Sequence, residues 1–130
     1  MIGIDPNVLV RFFVEDDEPQ TRKAQQFVSG LTPNDPGFVS TVVVAELVWV
    51  MERHLDASDA EIIAAIRHLL TTNAFVVEGE RQVFLALAEL SEGRARFADA
   101  LISALASARG CSYTITFDRK AARLTGFRLL

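Results

Sequence analysis

Short apolar runs alternate with longer stretches of helical period along the 130-residue chain. "IGI" at 2–4 is such a run, closed at once by Asp5, Pro6 and Asn7. Asp accepts hydrogen bonds from early backbone N–H groups, and Pro suits the first helical position, so a strand should give way there to a helix over Asn7 to Val14. The acidic run "EDDE" at 15–18 reads as a loop, with Asp16, Asp17 and Glu18 in it. Pro19 opens a second helix, "PQTRKAQQFVSG", that ends near Gly30. After the turn letters "TPNDPG" comes "FVSTVVVAELVWVMERHL". Its Val content favours a strand, but its unbroken length exceeds an ordinary one, so it reads as an extended entry at Phe38-Val39 followed by a helix. Ser58 to Glu61, "SDAE", is a capping box that starts a helix running to about Leu70. A strand "AFVVE" follows, then helices "ERQVFLALAEL" and "ARFADALISALASARG", the second closed by Gly110. The chain finishes with a strand "SYTITF", a last short helix "DRKAARLTG" and a possible edge strand "FRLL".

Short strands alternating with helices specify an α/β sandwich with a mainly parallel sheet. The length suits a single domain over residues 1–130, with no internal repeat and no linker. Open parallel sheets build their sites beyond the C-terminal ends of the strands. Asp5 ends the first strand and Asp118 ends "SYTITF", so this topology can bring the two together.

Composition narrows the classes. Half the residues are hydrophobic, which excludes a disordered chain. The most apolar stretch, "TVVVAELVWVM", is too short to span a bilayer and carries Glu46, and Met1 to Ile4 lacks the basic and apolar regions of an export signal. With one cysteine, Cys111, no internal disulfide is available, and a cytoplasmic setting is expected. Net charge is −4, but it is unevenly spread. Residues 1–90 hold 6 Lys/Arg against 14 Asp/Glu, and residues 91–130 hold 7 against 3, the kind of asymmetry that accompanies contact with nucleic acid.

The chemistry on offer is that of carboxylates. There is no glycine-rich phosphate loop, no nucleophile elbow and no zinc-ligand spacing, and His54 and His68 stand alone on helices. Glu46 has Val42, Val43, Trp49 and Val50 three and four positions away, so it should reach a cavity, a cation or a partner such as Arg53. Asp99 lies opposite the apolar stripe Phe97, Leu101 and Leu105, among Ala95, Ile102, Ser103 and Ala106. An exposed Asp is the plain alternative, although small neighbours also admit a close approach. Asp118 would cap the last helix, and a strand-end Asp can also ligate a metal. Asp59 and Glu61 fall to caps. Clustered carboxylates repel one another, and a hard cation such as Mg²⁺ or Mn²⁺ relieves that repulsion. A phosphoacceptor receiver domain, also α/β and rich in Asp, would need an acidic pair after the first strand and a late strand-end Lys, neither of which is present.

"IDPNVLVRFFVEDD", "STVVVAELVWVME", "RFADALISALA" and "TFDRK", in this order and spread over essentially the whole chain, resemble PIN-domain ribonucleases, and among them the VapC-type toxins of toxin–antitoxin pairs. The resemblance implies a three-layer α/β/α sandwich. It also implies a site in which Asp5, Glu46, Asp99 and Asp118 bind Mg²⁺ or Mn²⁺ and an endoribonuclease hydrolyses RNA by water, leaving 5′-phosphate and 3′-hydroxyl ends. Asn7 and Ser40 match polar positions that orient ligands or water, and Arg11, Arg96, Arg119 and Lys120 are candidates for phosphate contacts. Two positions depart from the pattern: Pro6 stands where Thr or Ser is usual, and Arg96 where many relatives carry an acid. Relatives typically dimerise and hold a small antitoxin in an apolar groove. Val8, Leu9, Phe12, Phe13, Phe27, Val48 and Trp49 are candidates for such docking, or else core. A PIN-type RNA-processing nuclease without an antitoxin and a degenerate, non-catalytic PIN module remain open beside the toxin.

Overall fold

The structure is a computed structural model that describes residues 1–14 and 18–130. Residues Glu15, Asp16 and Asp17 of the expected acidic loop lie outside the described residues. The chain divides into two compact units, Met1–Glu78 and Gly79–Leu130.

The first unit runs β1 (Ile2–Gly3), α1 (Pro6–Phe13), α2 (Pro19–Ser29), β2 (Gly37–Val39), α3 (Thr41–Arg53), α4 (Asp59–Thr71) and β3 (Phe75–Val77). Its three strands pair in the order β1-β2-β3, all parallel, with Gly3 beside Phe38 and Val39 beside Val77. Helical crossovers are what parallel neighbours require. The sequence pattern is met closely at the helix starts. Asp5 caps α1 from Oδ2, which accepts the Asn7 N–H at 3.1 Å, and Pro6 holds the first turn. Ser40 Oγ accepts the Val43 N–H at 3.2 Å and caps α3, so the Val-rich stretch is indeed a short strand and then a helix. Ser58 and Glu61 complete the capping box of α4.

Packing in this unit follows the helical period. Val44, Leu47, Val48 and Met51 face inward from α3, and Ile62, Ala65, Ile66 and Leu69 from α4. Leu9 of α1 is wholly buried. The rings of Phe12, Phe13 and Phe75 have their centres 5.5, 5.7 and 6.3 Å from that of His68, which is exposed and bridges α1, α4 and β3 at the surface. Of the seven apolar residues weighed as a docking surface, Leu9 and Val48 are therefore core, and Phe27 and Trp49 are exposed.

The second unit runs α5 (Glu80–Ser91), α6 (Phe97–Ala108), β4 (Thr114–Thr116), a single 3₁₀ turn (Ala121–Arg123) and β5 (Phe127–Leu129). Val83, Ala86, Leu87 and Leu90 of α5 and Phe97, Ala100 and Leu101 of α6 are its buried helical residues. β4 and β5 pair in parallel, Ile115 beside Arg128. The expected last helix is corrected to this one turn. Asp118 Oδ1 accepts the N–H groups of Lys120 (2.8 Å) and Ala121 (3.3 Å) as a cap, but Leu124 is already extended and Gly126, at φ 99°, turns the chain into β5. Too few residues are left for a helix. Among the described residues no helix is long and apolar enough to cross a membrane.

Candidate active site

In the first unit the C-terminal ends of the strands meet polar residues one after another. Asp5 follows β1, Ser40 follows β2 and Glu78 follows β3. Asp5 is exposed, and only Oδ2 is engaged by the α1 cap. Beside it opens a groove of about 570 Å³ lined by Asp5, Asn7, Val8, Arg11, Lys23 and Phe27, among others. Three of the sequence-predicted residues, Asp5, Asn7 and Arg11, are thus brought to one place. Arg11 is held there by Glu18, 2.8 Å away. Lys23 went unnoticed in the sequence, where the signal was its place on the same face of α2 as Phe27, four positions on.

Glu78 was also missed. The Thr41 N–H donates to its Oε1 at 2.9 Å, and Thr41 Oγ1 donates to the Glu78 carbonyl at 3.3 Å. The backbone hydrogen bond from Thr41 holds the Glu78 carboxyl below the usual carboxylate range. This carboxylate fastens the start of α3 to the end of β3 and keeps Ser40 at the strand edge.

Glu46 requires a correction. It is exposed, and its neighbours Val42 and Trp49 are 71% and 50% exposed. Among the described residues it makes no ion pair, with Arg53 or any other cation. The reason is geometric: the inward stripe of α3 is 44, 47, 48 and 51, and the row 42, 46, 49 looks outward. Its apolar neighbours do not bury it.

In the second unit Asp99 stands in the first turn of α6, half-buried, where a helix N-terminus favours negative charge. Asp118 follows β4, and its Oδ2 is left free by the cap on Oδ1. A hollow of about 1000 Å³ in this unit is bordered by Arg81, Arg94, Ser103 and Arg123, among others, and neither carboxylate lines it. Arg94 is tied to Glu89 by two bonds of 3.0 and 3.1 Å, which lower the Glu89 pKa and raise that of Arg94.

Residues 2–126 match the model of the PIN domain family. The chain belongs to the PIN domain family. No curated protein matches it. PIN domains are generally metal-dependent nucleases that act on RNA, so the chain carries a nuclease fold, and the α/β class with parallel strands is the one the sequence pattern specified. The four carboxylates expected from the sequence are of the chemical type a hard divalent cation prefers, and Asp5 and Asp118 each keep an oxygen clear of the caps they form. Among the described residues, however, no three His, Cys, Asp or Glu side chains are gathered so as to hold a metal ion.

Proposed function

We propose that this PIN domain is a metal-dependent endoribonuclease in which Asp5, Glu46, Asp99 and Asp118 act together on one Mg²⁺ or Mn²⁺ centre. The observation that supports it most is Asp5: a strand-end carboxylate with one oxygen free, beside a groove that also holds Asn7, Arg11 and Lys23. A divalent cation held by these carboxylates would supply an activated water and offset charge on the scissile phosphate. The chain's own groups do the rest. Asn7 and Ser40 orient polar ligands at the strand edge, Arg11 and Lys23 bring positive charge to the groove, and Glu78 fixes the helix that carries Glu46. With no histidine among these residues, proton transfer falls to a carboxylate or to water. Attack by water leaves 5′-phosphate and 3′-hydroxyl ends.

The test is cleavage of single-stranded RNA by the purified chain in Mg²⁺ or Mn²⁺ and in chelator, with Asp99→Asn beside it. Metal-dependent cleavage should disappear in the variant while its melting temperature holds or, without metal, rises, because one of several repelling charges is gone. A variant that cuts as fast as the parent removes Asp99 from the site. A parent that binds RNA but never cuts it is the degenerate module.

The toxin reading is supported by the groove itself, whose Val8, Ala24 and half-open Phe27 lead to Asp5. A small antitoxin laying an amphipathic helix there would bury apolar surface and bring a Lys or Arg to the carboxylates. We infer a homodimer in a cytoplasm, silenced by such a partner. Co-expression with the adjacent reading frame should rescue growth and yield a complex. A harmless, monomeric chain that binds no neighbour points instead to an RNA-processing nuclease.

A further inference from the structure

The hollow of about 1000 Å³ in the second unit has a composition that the carboxylate site does not account for. Every residue lining it belongs to Gly79–Leu130, so its walls are built within one unit. One wall is the row Arg81, Leu85 and Ala88 of α5, spaced four and three positions apart. The floor is the α6 face that carries Ser103 and Ser107. The third wall is the turn Arg123–Thr125, which leads into Gly126. That turn lies so close to α6 that a methyl at Gly126 would stand 2.5 Å from Ser103 Oγ. The hollow is therefore closed on that side by backbone.

Its lining is cationic. Three guanidiniums, of Arg81, Arg94 and Arg123, border it with one carboxylate, Glu89. Glu89 is committed to Arg94 through two hydrogen bonds, so the uncompensated charge is that of Arg81 and Arg123. Among the described residues these two form no ion pair. Guanidinium forks match the oxygens of phosphate, and hydroxyls donate to them. The volume is at the upper end for small-ligand pockets, more than a lone phosphate fills, and suits a stretch of nucleotide chain. A second copy of the chain would bring the same positive charge to a symmetric contact, which disfavours it.

We infer that this hollow grips the phosphate backbone of single-stranded RNA, with Arg81 and Arg123 on phosphates and the Ser103 and Ser107 hydroxyls donating to their oxygens. Ser103 stands one helical turn after Asp99 on α6, so a chain held along this helix runs beside that carboxylate rather than onto it. The inference rests on the ribonuclease reading and adds where the substrate is held outside the bond that is cut. Such a grip acts on ground state and transition state alike, so its loss raises KM and leaves kcat in place.

The experiment is binding of a short labelled single-stranded RNA to the full chain in chelator across a range of salt, followed by cleavage kinetics in Mg²⁺. Arg81→Gln and Arg123→Gln should each weaken binding by about two- to fivefold, the scale of one exposed charge pair, at an unchanged melting temperature. Each should also lower the log–log salt slope by roughly 0.7. Glu89→Gln, which releases Arg94, should tighten binding. Ala104→Leu, which intrudes on the hollow without a change of charge, should weaken it. Arg67→Gln, the same loss of charge at an exposed position of α4, should leave affinity and slope alone. Arginine variants that bind like the parent overturn the grip, as does an Arg67→Gln variant that loses as much as they do, since net charge alone then explains the effect. Binding of a polyglutamate peptide that depends on Arg81 and Arg123 while RNA affinity does not makes this a protein-docking site and overturns it too. A parent that cuts RNA in Mg²⁺ with any of these results keeps the ribonuclease reading. A parent that neither binds nor cuts RNA overturns that reading, and the grip with it.

Discussion

A carboxylate has two oxygens, and at Asp5 the cap of α1 engages only Oδ2. The two roles can be separated by substitution. Asp5→Asn keeps an acceptor for the Asn7 N–H and should leave stability nearly unchanged, whereas Asp5→Ala should cost about 1 kcal/mol through the lost cap. If Asp5 is also a ligand, both variants should cleave RNA at least about tenfold more slowly than the parent. Full cleavage by the stable Asn variant would reduce Asp5 to a cap. The adjoining Pro6 is preorganised for the first helical turn and supplies no hydroxyl. Pro6→Thr should therefore keep the helix, with a stability change under about 1 kcal/mol, and raise metal affinity or turnover by restoring a hydroxyl beside the carboxylate. Unchanged metal titration would show that the hydroxyl has no part here.

At the scale of elements, α3 is held at its start by two devices of different legibility. Ser40 lies three positions from the N–H it accepts, and a cap of that span can be read from the letters. Glu78 is 37 positions from Thr41, so its role exists only once β2 and β3 are neighbours. Because the Glu78 pKa is lowered in the fold, its contribution is present above the unfolded value and is lost as pH falls through the folded one. The parent should thus lose stability more steeply than Glu78→Gln as pH falls below the ordinary glutamate range, as thermal melts from neutral into acid pH will show. The same distinction explains Glu46. Apolar neighbours at three and four positions are visible in the sequence, but which row of α3 faces inward is fixed by what packs on it, and apolar residues are free to lie outside. The closing segment misled for a related reason. Ala121 to Leu124 suits a helix by propensity, yet the cap at Asp118 and the turn at Gly126 leave room for one 3₁₀ turn. Gly126→Ala should destabilise by about 1–2 kcal/mol, since its φ of 99° is strained for a side chain and the new methyl would stand 2.5 Å from Ser103 Oγ. Adding Ser103→Ala should recover the steric part and leave the backbone strain.

For the whole molecule the question is how a chain of net charge −4 can hold a polyanion. Its acid is concentrated in residues 1–90, and residues 91–130 hold 7 Lys/Arg against 3 Asp/Glu. Of those three acids, Asp99 and Asp118 are the proposed ligands, so the carboxylates of the site oppose RNA whenever no cation balances them. Binding and cleavage must then respond to one substitution with opposite signs. Asp99→Asn removes a charge that repels phosphate, and at 4 to 8 Å in water such a charge amounts to about 0.5–1 kcal/mol. In chelator the variant should bind single-stranded RNA about two- to sixfold more tightly than the parent, while in Mg²⁺ it should not cut. Lys120→Gln should do the reverse in chelator, weakening binding and lowering the salt dependence by roughly 0.7 in the log–log slope, the share of one released counterion on a single strand. If Asp99→Asn instead leaves metal-free affinity where it was, the carboxylate does not face the phosphates, and its place in the site is lost even if cleavage falls. Affinity measured across salt in chelator, followed by cleavage in Mg²⁺ on the same preparation, separates a misplaced charge from a missing ligand.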